Sequence, residues 1–177
     1  MRLHDDRRVL VERARALARP AGPEGGSQPR LQLVGVQIGA EGYALEVDSA
    51  EAIEGRPAVA AVPGLPAPWA GIVNLRGTLY PVVEAARLVG AEPEVPEERR
   101  RLVLVSSEGI VVALSVDGVA GITSVRPTDM QAAPAAERGS PAPVRALTPE
   151  LVPVLDADEV LAQARASLRD RAEEAKR

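Results

Sequence analysis

The 177 residues carry 46% apolar side chains, enough for one ordinary domain or two small ones sharing an interface, with a formal net charge of −4. Positions 1–30 hold seven arginines against four acidic residues, so the negative charge falls on the body, where it repels a phosphate backbone; aromatic platforms are missing too, and nucleic-acid binding is disfavoured. No cysteine is present, no apolar run approaches the length of a membrane span, and the N-terminus lacks a signal peptide's apolar core, so the chain reads as cytoplasmic, free of disulfides and thiol chemistry, with no direct membrane insertion.

The apolar content is nearly all Val, Leu, Ala and Ile, with no Phe, one Trp and two Tyr, which suits short strands with aliphatic packing. Residues 1–19 read as a helix with a thin stripe of Leu3, Leu10, Ala14 and Leu17, and 20–30 as a Gly/Pro linker. Residues 31–38 and 43–47 form paired strands around Gly39-Ala40-Glu41-Gly42, and 55–68, with four prolines, is a long loop. A hairpin follows, 71–75 and 79–83 around Arg76-Gly77-Thr78, where Gly77 can take the positive φ that the turn needs. Residues 84–89 make a single helical turn and 90–100 a charged linker. Strands are expected again at 101–106 and 110–116 around Ser107-Glu108-Gly109. After a second proline-rich loop, 123–143, the segments 144–147 and 151–155 flank Thr148-Pro149-Glu150. A helix starts near Asp158, capped by Asp156 with Glu159 three residues on, its apolar face formed by Val160, Leu161, Ala164 and Leu168; residues 163–177 are a charged helical tail.

The second half repeats the first. Residues 44–53 match 113–122 at five of ten positions with an offset of 69, including Asp48 on Asp117, and 79–89 matches 151–161 at an offset of 72, with Pro81 on Pro153 and Val82 on Val154. Two like subdomains related by an approximate twofold are expected, about 31–90 and 101–162, each closing its few strands into a barrel to hide sheet edges. The fold class is all-β with flanking N- and C-terminal helices.

The stretch Gly71-Ile72-Val73-Asn74-Leu75-Arg76-Gly77-Thr78-Leu79-Tyr80-Pro81-Val82-Val83 resembles the signature of the CheW family, adaptor proteins of bacterial chemotaxis, above all at Asn74-Leu75-Arg76-Gly77. The resemblance covers roughly 31–162 and implies two pseudo-symmetric five-stranded SH3-like barrels, intertwined and packed side by side. It further implies a non-catalytic adaptor without cofactors. One partner would be the regulatory domain of a CheA-like histidine kinase and the other the cytoplasmic tip of methyl-accepting chemoreceptors, at membrane-associated receptor arrays. A structural scaffold of the same fold, in a signalling complex without a transmembrane receptor, is the alternative.

The repeat sharpens the choice of site residues. If Asn74 and Arg76 served only the turn, the second copy would carry something similar, yet at offset 72 it has Ala146 and Thr148, whereas Leu75 and Leu79 persist as Leu147 and Leu151, as core positions do. Arg76 is the first candidate contact, its guanidinium suited to a carboxylate or carbonyl, and the matching arginine in the family lies at the receptor-binding region. The family often has Glu just before the position of Ile53; here Ala52 stands there, between Glu51 and Glu54. Ala50 and Ile53 correspond to Val119 and Ile122, a symmetric pair of apolar edges that could line a groove between the barrels for a helical partner; the family docks a receptor's helical hairpin at that junction. Enzyme readings lack parts. His4 is the one histidine and sits at the N-terminus, no phosphate loop with lysine follows a strand, Ser106-Ser107 has no base, and no metal-ligand set is spaced for binding. Asp48 and Asp117 are expected to cap loops.

Overall fold

The computed structural model describes residues 29–55, 58–133 and 142–174. The helix expected over 1–19, with His4, lies outside the described residues. Twelve strands are formed within them: β1 Leu31–Ile38, β2 Glu41–Glu46, β3 Ala50–Glu54, β4 Val59–Ala60, β5 Trp69–Leu75, β6 Thr78–Glu84, β7 Arg101–Ser107, β8 Ile110–Val116, β9 Gly118–Val125, β10 Gln131–Ala132, β11 Val144–Leu147 and β12 Pro153–Leu155. Helix α1 is the single turn Ala85–Leu88, and α2 runs Ala157–Glu174. The two stretches expected as proline-rich loops thus yield β4, β10 and the end of β9.

The strands form two six-stranded sheets, in the orders β10-β11-β12-β2-β1-β9 and β4-β5-β6-β8-β7-β3. Laying one repeat on the other makes the two orders identical, which places the duplication in the fold itself. Each sheet has five longer strands and a two-residue edge strand, so the count is six where five were expected. The sheets also cut across the expected boundaries at 31–90 and 101–162: hairpin β1–β2 of the first repeat joins β9–β12 of the second, and hairpin β7–β8 of the second joins β3–β6 of the first. The register shows this exchange residue by residue. Ala44 pairs in parallel with Val154, and its repeat equivalent Ala113 pairs in parallel with Val82, the equivalent of Val154. Likewise Val119 opposes Val36 as Ala50 opposes Val105, and Ile122 opposes Val34 as Ile53 opposes Val103.

Because successive strand side chains point to opposite faces, a strand between two cores reads as a continuous apolar run. In β7, Val103 and Val105 enter the large core between the sheets, while Leu102 and Leu104 enter a smaller core on the other face. In β8, Leu114 and Val116 go to the shared core and Ala113 to the smaller one. β1 does the same in the other sheet, with Val34, Val36 and Ile38 in the shared core and Leu33 opposite, beside Ala44, Val125 and Val154.

Helix α2 closes the shared core with Val160, Leu161 and Ala164, all buried. Its start is capped as expected, Asp156 Oδ1 accepting from the N–H groups of Asp158 at 2.9 Å and Glu159 at 3.1 Å. The Trp69 indole N–H donates to Ala164 O at 2.7 Å and to Ser167 Oγ at 3.2 Å, fastening the helix to the start of β5. The charged tail therefore does not begin at 163, because the helix is still anchored at 164 and 167.

Asp117 caps two segments at once, its carboxylate accepting from Gly39 N at 2.6 Å and Val95 N at 3.2 Å, with Arg100 at 3.9 Å; Arg100 also reaches Glu84 at 2.5 Å. This ties the β1–β2 turn and the 90–100 linker to the crossover between the sheets. Asp48, its repeat equivalent, is exposed.

Tyr43 lies in the shared core with its hydroxyl donating to Glu41 at 3.2 Å. Burial, together with the charge and hydrogen bond of Glu41, pushes its phenol up to about 12 from 10.0. The folded state therefore holds this proton more tightly than the unfolded chain. Stability is unaffected below the ordinary phenol range and declines as pH rises from there through about 12. Denaturant titrations across that range should show a loss in the wild type that is smaller in Tyr43→Phe, which leaves Tyr80 as the one remaining phenol.

Candidate protein-docking site

The hairpin β5–β6 alternates cleanly along most of its length. Val73, Leu75, Tyr80 and Val82 face the smaller core of their sheet, while Ile72, Asn74 and Leu79 face outward. Its turn is two residues, Arg76 and Gly77, with φ of 56° and 87° between the paired Leu75 and Thr78. Positive φ at both central positions is what a tight turn needs to match the right-handed twist of its strands. Arg76 adopts the left-handed conformation without being glycine, and the Gly77 N–H donates to Asn74 Oδ1 at 2.9 Å. Asn74 thus bonds the turn from the outward face of β5.

The pairing explains why the repeat misled here. Pro81 stands opposite Ile72, leaving eight residues for the rest of the first hairpin, but its equivalent Pro153 stands opposite Leu147, leaving five. The second hairpin is three residues shorter, so Asn74 and Arg76 have no structural counterparts, and Ala146 and Thr148 are not their equivalents. Thr148 is buried and does its own turn work, its Oγ1 accepting from Val152 N at 3.1 Å. The reading of Leu79 and Leu151 as core positions is also corrected: they are 62% and 61% exposed, whereas Leu75 is buried. Leu79 sits on the outer face of its strand, opposite Asn74, and Leu151 in the short turn with φ of 62°.

Arg76 projects from the tip with its side chain 57% exposed, and its guanidinium meets Glu54 Oε1 at 3.4 Å. The carboxylate comes from Glu54 of β3, two positions beyond Ala52. An ion pair this exposed is worth under about 1 kcal/mol. It orients the arginine without occupying all of its donors.

The other four candidates lie on the edge strands β3 and β9, at equivalent positions of the two sheets. Ala50, Val119 and Ile122 are half-buried against the shared core, and Ile53 is 47% exposed. Ladder pairing joins Ala50 and Ile53 to β7, and Val119 and Ile122 to β1; it does not join β3 to β9. Arg76 and β3 are brought together, through Glu54.

Glu54 as the arginine's partner and the exposure of Leu79 were not legible in the repeat; the alternation Ile72, Asn74 on β5 was the available signal for the outward face. A model of the CheW-like domain matches residues 32–165. This chain belongs to the CheW family. It is 30% identical over 108 residues to a probable chemotaxis protein CheW of Rhizobium etli, a match covering 61% of this chain and 70% of that protein. It is 27% identical over 103 residues to the chemotaxis protein CheW of Rhizobium meliloti, covering 58% of this chain and 66% of the relative. Among solved structures, the scaffolding protein TtCheW from Thermoanaerobacter tengcongensis superimposes with a TM-score of 0.66 at 19% identity, over 72% of this chain and 90% of that one. That likeness concerns the fold, and its two-subdomain β architecture is the one described above. The match to the CheW-like domain ends within α2, before its charged last turns.

Proposed function

We propose that this CheW-like domain is a non-catalytic adaptor that couples the cytoplasmic tip of a chemoreceptor to the regulatory domain of a CheA-like histidine kinase. The observation that carries the reading is Arg76: a charged side chain on a hairpin longer than its repeat, held in position by Glu54 yet more than half exposed. Such a guanidinium can exchange its weak internal pair for a carboxylate or carbonyl on a receptor. Ala50 and Ile53, on the strand that carries Glu54, supply apolar contact on that side, and the half-buried Val119 and Ile122 supply it on the equivalent edge of the other sheet. Asn74 acts by keeping the turn in shape. An adaptor of this kind changes kinase activity only through contacts that differ between the receptor's signalling states. No helix among the described residues is long and apolar enough to cross a membrane, so the receptor would supply the membrane link.

Titration of purified receptor fragments and kinase regulatory domain tests this. Arg76→Ala should weaken receptor binding roughly tenfold or more, the scale of a lost charge-assisted hydrogen bond, while kinase binding and melting temperature stay near wild type. Equal receptor affinity for both proteins would remove Arg76 from the interface. Kinase binding with no receptor binding even by the wild type would favour a scaffold that works without a receptor.

A further inference from the structure

We propose that residues 1–28 of this chain cover the open end of the smaller core in the β1–β2 sheet, with their apolar stripe of Leu3, Leu10, Ala14 and Leu17 resting on Leu31, Met130 and Val152. The two smaller cores occupy equivalent places in the two sheets and are filled unequally. The one served by β5–β6 buries seven side chains, Leu75 and Tyr80 among them, with Val111 packed against it. Among the described residues the other buries four, Leu33, Ala44, Val125 and Val154, with Leu31, Met130 and Val152 half-buried at its margin. Three differences between the repeats account for the deficit. Hairpin β11–β12 is three residues shorter and has no counterpart of Leu75, Val152 stands where the first repeat has Tyr80, and Gly42 stands where the second has Val111. A Cβ added at Gly42 would meet open space.

The shortfall has a definite place, and the chain itself enters the fold there. In the longer hairpin the tip reaches β3, where Arg76 meets Glu54, and Glu54 pairs with Leu102. The equivalent pair in the other sheet is Thr123 and Leu33, and there the shorter hairpin has no residues to form that tip. Arg30 bonds the neighbouring Ser124 at 3.2 Å, and Leu31, next along, pairs with Val125 and packs on the underfilled core. Residues 1–28 are therefore tethered beside the apolar end that needs covering. The thirteen residues between Leu17 and Leu31 can span about 40 Å, ample for the stripe to double back onto it. A tether of this kind holds its segment at a roughly millimolar effective concentration, which favours it over a free partner of similar apolar character. Its six arginines against four acidic residues also suit a body that carries the chain's negative charge. Thr123 and Leu33 lie on the opposite face of β9 and β1 from Val119 and Ile122, which pair with Val36 and Val34 of the shared core. The inference thus stands apart from the adaptor reading.

The full chain has no cysteine, so a single introduced thiol reports on the cover. Met130→Cys should react slowly with a thiol reagent, and roughly tenfold faster or more once Leu10→Ser and Leu17→Ser are added, the scale of taking leucines out of an apolar contact. Leu79→Cys, on the exposed face of the other hairpin, should react at one rate in both backgrounds. In the chain without an added thiol, the same two serine substitutions should quicken amide exchange near Met130 and Val152 at every protein concentration. Equal thiol and amide rates with and without the serines would overturn the proposal. So would an equal acceleration at Leu79→Cys, which would mean general loosening, or protection that grows with concentration, which would assign the cover to a second copy.

Discussion

Gly71→Ala should cost about 3 kcal/mol or more of stability, combining a left-side backbone penalty with a steric overlap that cannot relax through side-chain rotation. Gly71 opens the hairpin signature with φ of 147°, and a Cβ built there would lie 2.2 Å from Ala60 O and 2.9 Å from the Ala60 carbonyl carbon. Both obstacles are backbone, where β4 crosses close over β5. Relief would require β4 to separate from β5, breaking the pairs Val59–Val73 and Ala60–Ile72. Chemical denaturation should show a large fall in the midpoint, and a variant with wild-type stability would contradict this close approach. By contrast, the glycine of the turn, Gly77, has open space around it, so only its positive φ constrains replacement.

Leu114→Ala should be comparably severe, about 2–5 kcal/mol, since it removes a large side chain from the centre of the core shared by both sheets. Leu114 is fully buried in the parallel-paired strand β8, opposite Val83 on one side and Val103 on the other, both fully buried too. Its neighbours belong to strands held by ladders on each side, so they cannot collapse into the cavity. Because that core also takes Val160, Leu161 and Ala164 of α2, the loss should appear as one cooperative transition recorded alike by backbone circular dichroism and by the fluorescence of Trp69, which is bonded to α2. Separate transitions for the two probes would mean that α2 is not part of the same folding unit.

Local features of the chain were legible because their causes are local. The strand pairs around Gly39 and Gly109, the hairpin at Arg76-Gly77, the single turn after β6 and the Asp156 cap all follow from periodicity and turn chemistry over a few residues. The loop-capping role of Asp117 was legible as well, although its partners Gly39 and Val95 lie far away along the chain. Arg76 stood out by its motif. What was not legible was Glu54 as its ion-pair partner, which depends on where β3 comes to lie against the hairpin tip.

The amino-acid order alone determined that this chain is a doubled, aliphatic, all-β protein, because alternation, turn residues and a repeat at a nearly constant offset are properties of the chain itself. It could not determine which hairpin joins which sheet, since Ala44 can pair with Val82 or with Val154 on equal local terms and the choice is made by long-range burial. Nor could it reveal that the two tips differ. A three-residue change in strand overlap leaves the aligned sequence nearly intact, yet it gives Asn74 and Arg76 a place in one hairpin that the other lacks, and it leaves Leu79 and Leu151 in solvent. Register and edge exposure arise only when strands meet, and they decide which side chains another protein can touch.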